Sequence, residues 1–336
     1  MRTFRIKMPF IYKIIAAVLV LFISFFATMI FGAGDAAAHD VWLALTSRVD
    51  SEAATLIREI RMPREIAAVF VGAALAVSGA IMQGITRNPL ADPGLLGVTA
   101  GANAALAVTL AFLPHAHYFA MTIACIIGAA AGTLIVLGIV GTVRKGGFSP
   151  FRIVLAGAAV TAFLNAAAEG IGLYFRISKD VSMWTAGGLM GTAWIQLKAV
   201  IPFIIIGIVM SFIMARQLTI LNLNQELAVG LGQKSSQVKI ILFLVIILLA
   251  GSAVALAGNL AFLGLMIPHI VRFMVGTDYR FILPMSAVAG AVFMLLADTL
   301  SRTMNAPYET PLAAIISILG LPFFLFVVHK GGRTFS

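Results

Sequence analysis

The 336 residues are 61% hydrophobic and only 11% charged, with a mean hydropathy of +1.05. Soluble domains carry about 25% charged residues, so composition excludes a water-soluble globular domain and points to a polytopic membrane protein with room for roughly ten spans. The net charge of +10 is scattered singly between apolar runs, which fits orientation-setting loops and not a nucleic-acid surface. The one cysteine, Cys125, lies in an apolar run and provides neither a disulfide framework nor a cysteine metal site.

Taken in order, the chain opens with Arg2, Arg5, Lys7 and Lys13 ahead of an apolar run over residues 14–31. That run exceeds the about 7–15 residues of a signal-peptide core, so a retained first span over 14–32 is predicted. Ala36, Ala37 and Ala38 keep a cleaved signal as the alternative. Residues 33–60 read as an outside loop with a short surface helix around 41–48. Arg58, Arg61 and Arg64 then lead into an apolar run over 66–85, about the length that crosses a bilayer. Pro63 is expected at a first helical residue, where its missing N–H costs nothing. Gly72, Ala73, Ala76, Gly79 and Ala80 leave one flank thin enough for a neighbouring helix to approach closely. A polar hinge over 86–93 follows, and a second small-residue helix is expected from Gly94.

Further spans are predicted over 64–85, 94–113, 119–142, 151–175, 195–215, 237–257, 260–275, 281–301 and 311–329. With the first, this is an all-α polytopic membrane protein of about ten transmembrane helices, both termini inside. The topology divides the 23 Lys and Arg residues fifteen inside to eight outside, the sense that the positive-inside bias requires. The segments GAALAVSGAIM (72–82) and GSAVALAGNLA (251–261) share small residues at four positions and read as a weak inverted repeat.

The polar residues carry the functional questions. Arg61 and Arg64 stand at a helix N-terminus, where the dipole disfavours cations. Either they pair locally with Glu59 and Glu65, or with Arg302 they form an outward basic patch for the acidic groups of a docking protein. Asp298 and Arg302 are also spaced to pair along one helix. Glu169, with Asn165 one turn earlier, falls inside an apolar span, and such a residue is either a pathway or proton-carrying group or a helix-packing hydrogen bonder. His269 reads as structural, and the scattered Met residues read as packing. Residues 217–238 form the one sizeable inside loop, an ordinary connector or a short amphipathic helix ended by glycine. The sequence contains no G-x-x-x-x-G-K-[ST] phosphate loop and no HExxH, so neither ATP hydrolysis by that route nor a metal centre is suggested.

Arg61-x-Pro63-Arg64, the GAALAVSGAIMQ run and NPLADPGLLG (88–97) together resemble the FecCD-type permeases, membrane subunits of ATP-driven importers for ferric siderophores, haem and cobalamin. Residues 258–272 resemble that family's G-x-x-x-F-x-G-L-x-x-P-H-x-x-R segment. Asp298 with Arg302, Glu309-Thr310-Pro311 and GLPF (320–323) follow in the family's order. One departure is Ala313, where the family commonly has glycine.

The resemblance implies a single transmembrane permease domain over 1–336 with the type II importer fold of the cobalamin-importer permease. It implies no cofactor, and it implies four kinds of partner: a second permease subunit, same or related; two cytoplasmic ATPase subunits; an extracytoplasmic binding protein meeting Arg61, Arg64 and Arg302; and a ferric siderophore or similar chelate as cargo. The coupling loop 217–238 would enter the ATPase through Gln225, Glu226, Ala228, Gly230, Leu231 and Gly232. The setting would be a bacterial cytoplasmic membrane. The alternatives are haem or cobalamin as cargo, a proton-coupled secondary transporter using Glu169, and an integral-membrane enzyme, against which the lack of a convergent catalytic set argues.

Overall fold

The computed structural model describes residues 9–31, 38–46, 51–141, 150–223, 230, 232–306 and 308–331. Within them the regular elements are helical: α1 (Phe10–Ile30), α2 (Ala38–Thr46), α3 (Glu52–Leu56), α4 (Met62–Thr86), α5 (Val98–Phe112), α6 (Tyr118–Gly141), α7 (Pro150–Tyr174), α8 (Ser178–Thr185), α9 (Trp194–Ile213), α10 (Ala215–Leu223), α11 (Ser235–Ala257), α12 (Leu263–Val275), α13 (Tyr279–Thr303) and α14 (Leu312–Gly331). Among the described residues seven helical stretches are long and apolar enough to cross a membrane, and α5, α12 and α14 are shorter apolar helices beside them. The chain is an all-α polytopic membrane protein. The surface helix expected at 41–48 is α2, and Arg48 lies outside the described residues.

The bundle is built around α4, buried without interruption over residues 71–85. Its beginning differs from expectation. Helix runs continuously from Glu52, through a π turn at Ile57–Arg61, into α4. Pro63 is therefore not at a helix start. It has no N–H for the carbonyl one turn back, and the π turn, in which the Met62 N–H reaches Ile57 O, shifts the ladder just before the proline needs it shifted. At the other end Arg87 takes a left-handed conformation (φ 52°), and the N–H groups of Arg87 and Asn88 both return to Gln83 O, which closes the helix without glycine. The next helix does not begin at Gly94: Pro93–Leu96 form one 3-10 turn capped by Asp92, and α5 starts at Val98.

The thin flank of α4 has a specific neighbour. Gly72 lies against Gly290 of α13 so closely that a Cβ on either would strike the other's carbonyl oxygen. The two segments of the weak repeat differ in structure. Residues 72–82 are helix throughout, whereas 251–261 leave the helix at Ala257, and Gly258 turns with φ +70°. That turn delays α12 to Leu263, later than the predicted start at 260.

α4 runs from an end bearing the arginines to an end bearing the 86–93 hinge, and α13 runs back. α1 is fixed at both ends. Lys13 Nζ donates to Met274 O (2.6 Å) near the hinge, and Thr28 Oγ1 donates to Glu65 Oε2 (2.9 Å) near the arginines.

Candidate functional site

At the arginine end the three expected docking residues are not a free basic patch. Arg61 and Arg64 are each 7% exposed and Arg302 is 4% exposed. Arg64 sits between two carboxylates. Its Nε and Nη2 donate to Asp298 (2.9–3.1 Å), and Nη1 and Nη2 donate to Glu309 Oε1 and Oε2 (2.6 and 2.9 Å). Arg302 donates from Nη2 to Glu65 Oε1 (2.6 Å), and its Nε lies 3.1 Å from Asp298 Oδ2 as an ion pair without hydrogen-bond alignment. Arg61 donates from Nη1 to Met29 O (2.6 Å). The i,i+4 pair Asp298–Arg302 expected from sequence is present; the local pairing expected of Glu65 is replaced by a partner 237 residues away.

The physical reason is desolvation. A guanidinium inside a packed helix bundle is tolerated only when fixed acceptors take its N–H groups, and planar bidentate geometry does this best. The network joins α1, α4, α13 and the segment before α14. What sequence reading missed is Glu309, 245 residues from Arg64. Its one signal was a carboxylate just before Pro311 and the last span. A cavity of about 590 Å³ opens beside it, lined by Arg64 and Glu309 together with Asp180, Trp184, Gln196 and Leu256 among others.

At the hinge end the two sides of the predicted 217–238 loop are helical: α10 occupies its first residues through Leu223, and α11 its last from Ser235. Gly230 and Gly232 are exposed, and Gly232 has φ +79°, a conformation that favours glycine. Gln225, Glu226, Ala228 and Leu231 lie outside the described residues. Gln233 Nε2 donates to Gln217 O (3.0 Å), holding the two sides of this connection together. In the hinge, Asp92 Oδ1 accepts from the Gly94 N–H (2.8 Å), and burial pushes the Asp92 carboxyl up to about 6.

Asn165 and Glu169 lie on α7. Asn165 is half-buried and Glu169 exposed. Glu169 is not mid-span: it precedes the last residue of α7, Tyr174, by five residues, about 7 Å of helix. Among the described residues it has no hydrogen bond or ion pair.

The model of the FecCD transport family matches residues 19–330, from within α1 to the end of α14. The chain belongs to the FecCD family. Among its relatives is the iron(3+)-hydroxamate import system permease protein FhuB of Bacillus subtilis, 41% identical over 95% of this chain and 83% of that protein. The hemin transport system permease protein HmuU of Yersinia pestis is 39% identical over 81% of this chain and 83% of that one. A solved structure described as an inward-facing conformation of a metal-chelate type ABC transporter has the same fold, with a TM-score of 0.82 over 95% of this chain and 99% of that one at 23% identity. Ala313, the departure noted above, is half-buried against the core of this FecCD chain, in a helix that an alanine fits without strain.

Proposed function

We propose that this chain is the non-catalytic transmembrane subunit of an ATP-binding-cassette importer for ferric chelates, with a ferric siderophore as the preferred cargo. The observation that carries the reading is the match to import-system permeases along nearly the whole chain. The hinge end, with α10 and the glycines at 230 and 232, would face the cytoplasm and meet the ATPase subunits through the 217–238 loop. The arginine end would face outward toward a binding protein. Its buried network suits a brace that holds this end in shape, so the docking charges proposed for Arg61, Arg64 and Arg302 act through the surface they support and not as free cations. A second permease subunit, same or related, completes the pathway. The setting is the cytoplasmic membrane, with both termini inside.

The test is purification of the tagged chain in mild detergent, wild type beside Glu226→Ala combined with Gly230→Trp. The reading expects an ATPase subunit to accompany the wild type and to be lost from the variant. Uptake of radiolabelled iron as a hydroxamate chelate, against haem and cobalamin, assigns the cargo. The open position of Glu169 is the one observation favouring the proton-coupled alternative. Uptake that proceeds without an ATPase subunit and collapses with an uncoupler and in Glu169→Gln would replace the importer reading by that one.

A further inference from the structure

At the hinge end three helices meet at one point. Thr219 of α10 donates from Oγ1 to its own helix at Ala215 O (3.0 Å) and lies 3.1 Å from Asp278 Oδ1, while the same oxygen accepts the Tyr279 N–H (3.0 Å). Asp278 is the residue that caps α13, accepting the Arg280 N–H at 2.9 Å, and its hydrogen bond from the Arg280 side chain holds its carboxyl below the usual carboxylate range. Tyr279, 1% exposed, accepts at its hydroxyl from Arg272 Nη2 (3.0 Å). The third helix is α4. A Cβ on Gly84 would stand 2.6 Å from Leu218 Cδ1 and 2.9 Å from the Tyr279 hydroxyl, so a side chain at residue 84 would displace the leucine or the tyrosine.

The position of this joint matters because of what its helices do elsewhere. α13 has 25 residues, with Pro284 inside it, and is about 37 Å of continuous helix. It leaves the joint, crosses α4 at the Gly72–Gly290 contact and ends in Asp298 and Arg302 of the buried network. α10 continues in the chain from the joint to Leu223, the last described residue before Gly230. One threonine hydroxyl thus links the element next to the proposed ATPase contact to the helix that reaches the opposite end.

We propose that Thr219 is a positioning residue for energy coupling, fixing α10 to the α13 cap so that displacement of α10 by the ATPase is delivered to α13 and α4 as one body. This rests on the importer reading above. Without the hydroxyl α10 still packs through Leu218, and it turns independently of α13; ATP is then hydrolysed with less movement at the arginine end.

The experiment uses the full complex, permease with its ATPase subunits and binding protein, in proteoliposomes, and reads chelate transported per ATP hydrolysed together with ATPase retention. Thr219→Val, which keeps the shape and loses the hydrogen bonds, is expected to retain the ATPase subunit and to lower transport per ATP roughly fivefold, the scale of one hydrogen bond's net contribution. Thr219→Ser is expected to restore the wild-type ratio, which a role in packing alone would not predict. If Thr219→Val does not accumulate, Gly84→Ala, which wedges Leu218 from Tyr279 without touching the threonine, is read by the same ratio. A wild-type ratio in whichever of these two variants is read, or failure of Thr219→Ser to restore it, overturns the joint alone. A wild-type preparation that holds no ATPase subunit overturns the importer reading, and the joint's role with it.

Discussion

Asp298 accepts from Arg64 and contacts Arg302, and it is fully buried. Asp298→Ala leaves two guanidinia in a packed interior with their shared acceptor gone, a change that typically costs about 3–5 kcal/mol. The expected outcome is a sharp loss of thermal stability in detergent and poor accumulation in the membrane. Arg64→Lys should rescue little, because one ammonium cannot span Asp298 and Glu309 as the planar fork does. Asp92 behaves in the opposite sense. Its folded-state value of about 6 lies above the ordinary 3.8, so between those values the folded state holds a proton that the unfolded chain has lost. Stability therefore falls as pH rises from about 4 to 6 and levels off above, by on the order of 3 kcal/mol. Asp92→Asn keeps an acceptor for the Gly94 N–H without the charge; thermal melts at pH 5 and pH 7.5 should differ in the wild type and converge in this variant.

At the level of elements, hydropathy and helix punctuation made the long spans readable, and small-residue spacing on α4 announced a close neighbour. What stayed hidden was what depends on a partner distant in the chain. The π turn before Pro63 cannot be told from a helix start, since both relieve the same missing N–H. The break after residue 257 was legible at Gly258-Asn259, but its full length to Phe262 was not, because Leu260, Ala261 and Phe262 are apolar and Phe262 takes its positive φ only in the fold. The arginines were visible at a predicted helix N-terminus that disfavours them, but the Arg64 counter-ion Glu309 and the joint at Thr219 and Tyr279 come from folding alone. The Gly72–Gly290 crossing gives the matching prediction. Gly290→Leu would drive a side chain into the Gly72 backbone and Ala76, and neither can rotate away. Proteolysis should show α13 loosened from α4, whereas a leucine at the neighbouring half-buried Ala289, which borders the core less closely, should be better tolerated.

Across the whole molecule, the long spans α1 and α7 are the least buried among the described residues, and α7 carries a row of small exposed residues. α1 exposes Ile11, Ile15, Leu19, Phe22, Ile23 and Phe26, large apolar side chains suited to lipid tails. α7 exposes large apolar residues too, Leu155, Phe163 and Leu173 among them, but also Ala158, Ala162, Ala166 and Gly170, four residues apart and hence in one row along the helix, with Glu169 beside the last of them. Small residues in a row let another helix approach within backbone distance, and a carboxylate near that row is poorly placed against hydrocarbon. The proposed second permease subunit therefore belongs against α7 and not α1. Cys125, the only cysteine, is fully buried, so after Cys125→Ser a single new cysteine reports contact cleanly. Ala166→Cys is expected to give a cross-linked dimer of permease subunits on mild oxidation in native membranes, and Leu19→Cys to give none. Efficient cross-linking from Leu19→Cys with none from Ala166→Cys would place the partner on α1 and return the α7 face, Glu169 included, to the lipid.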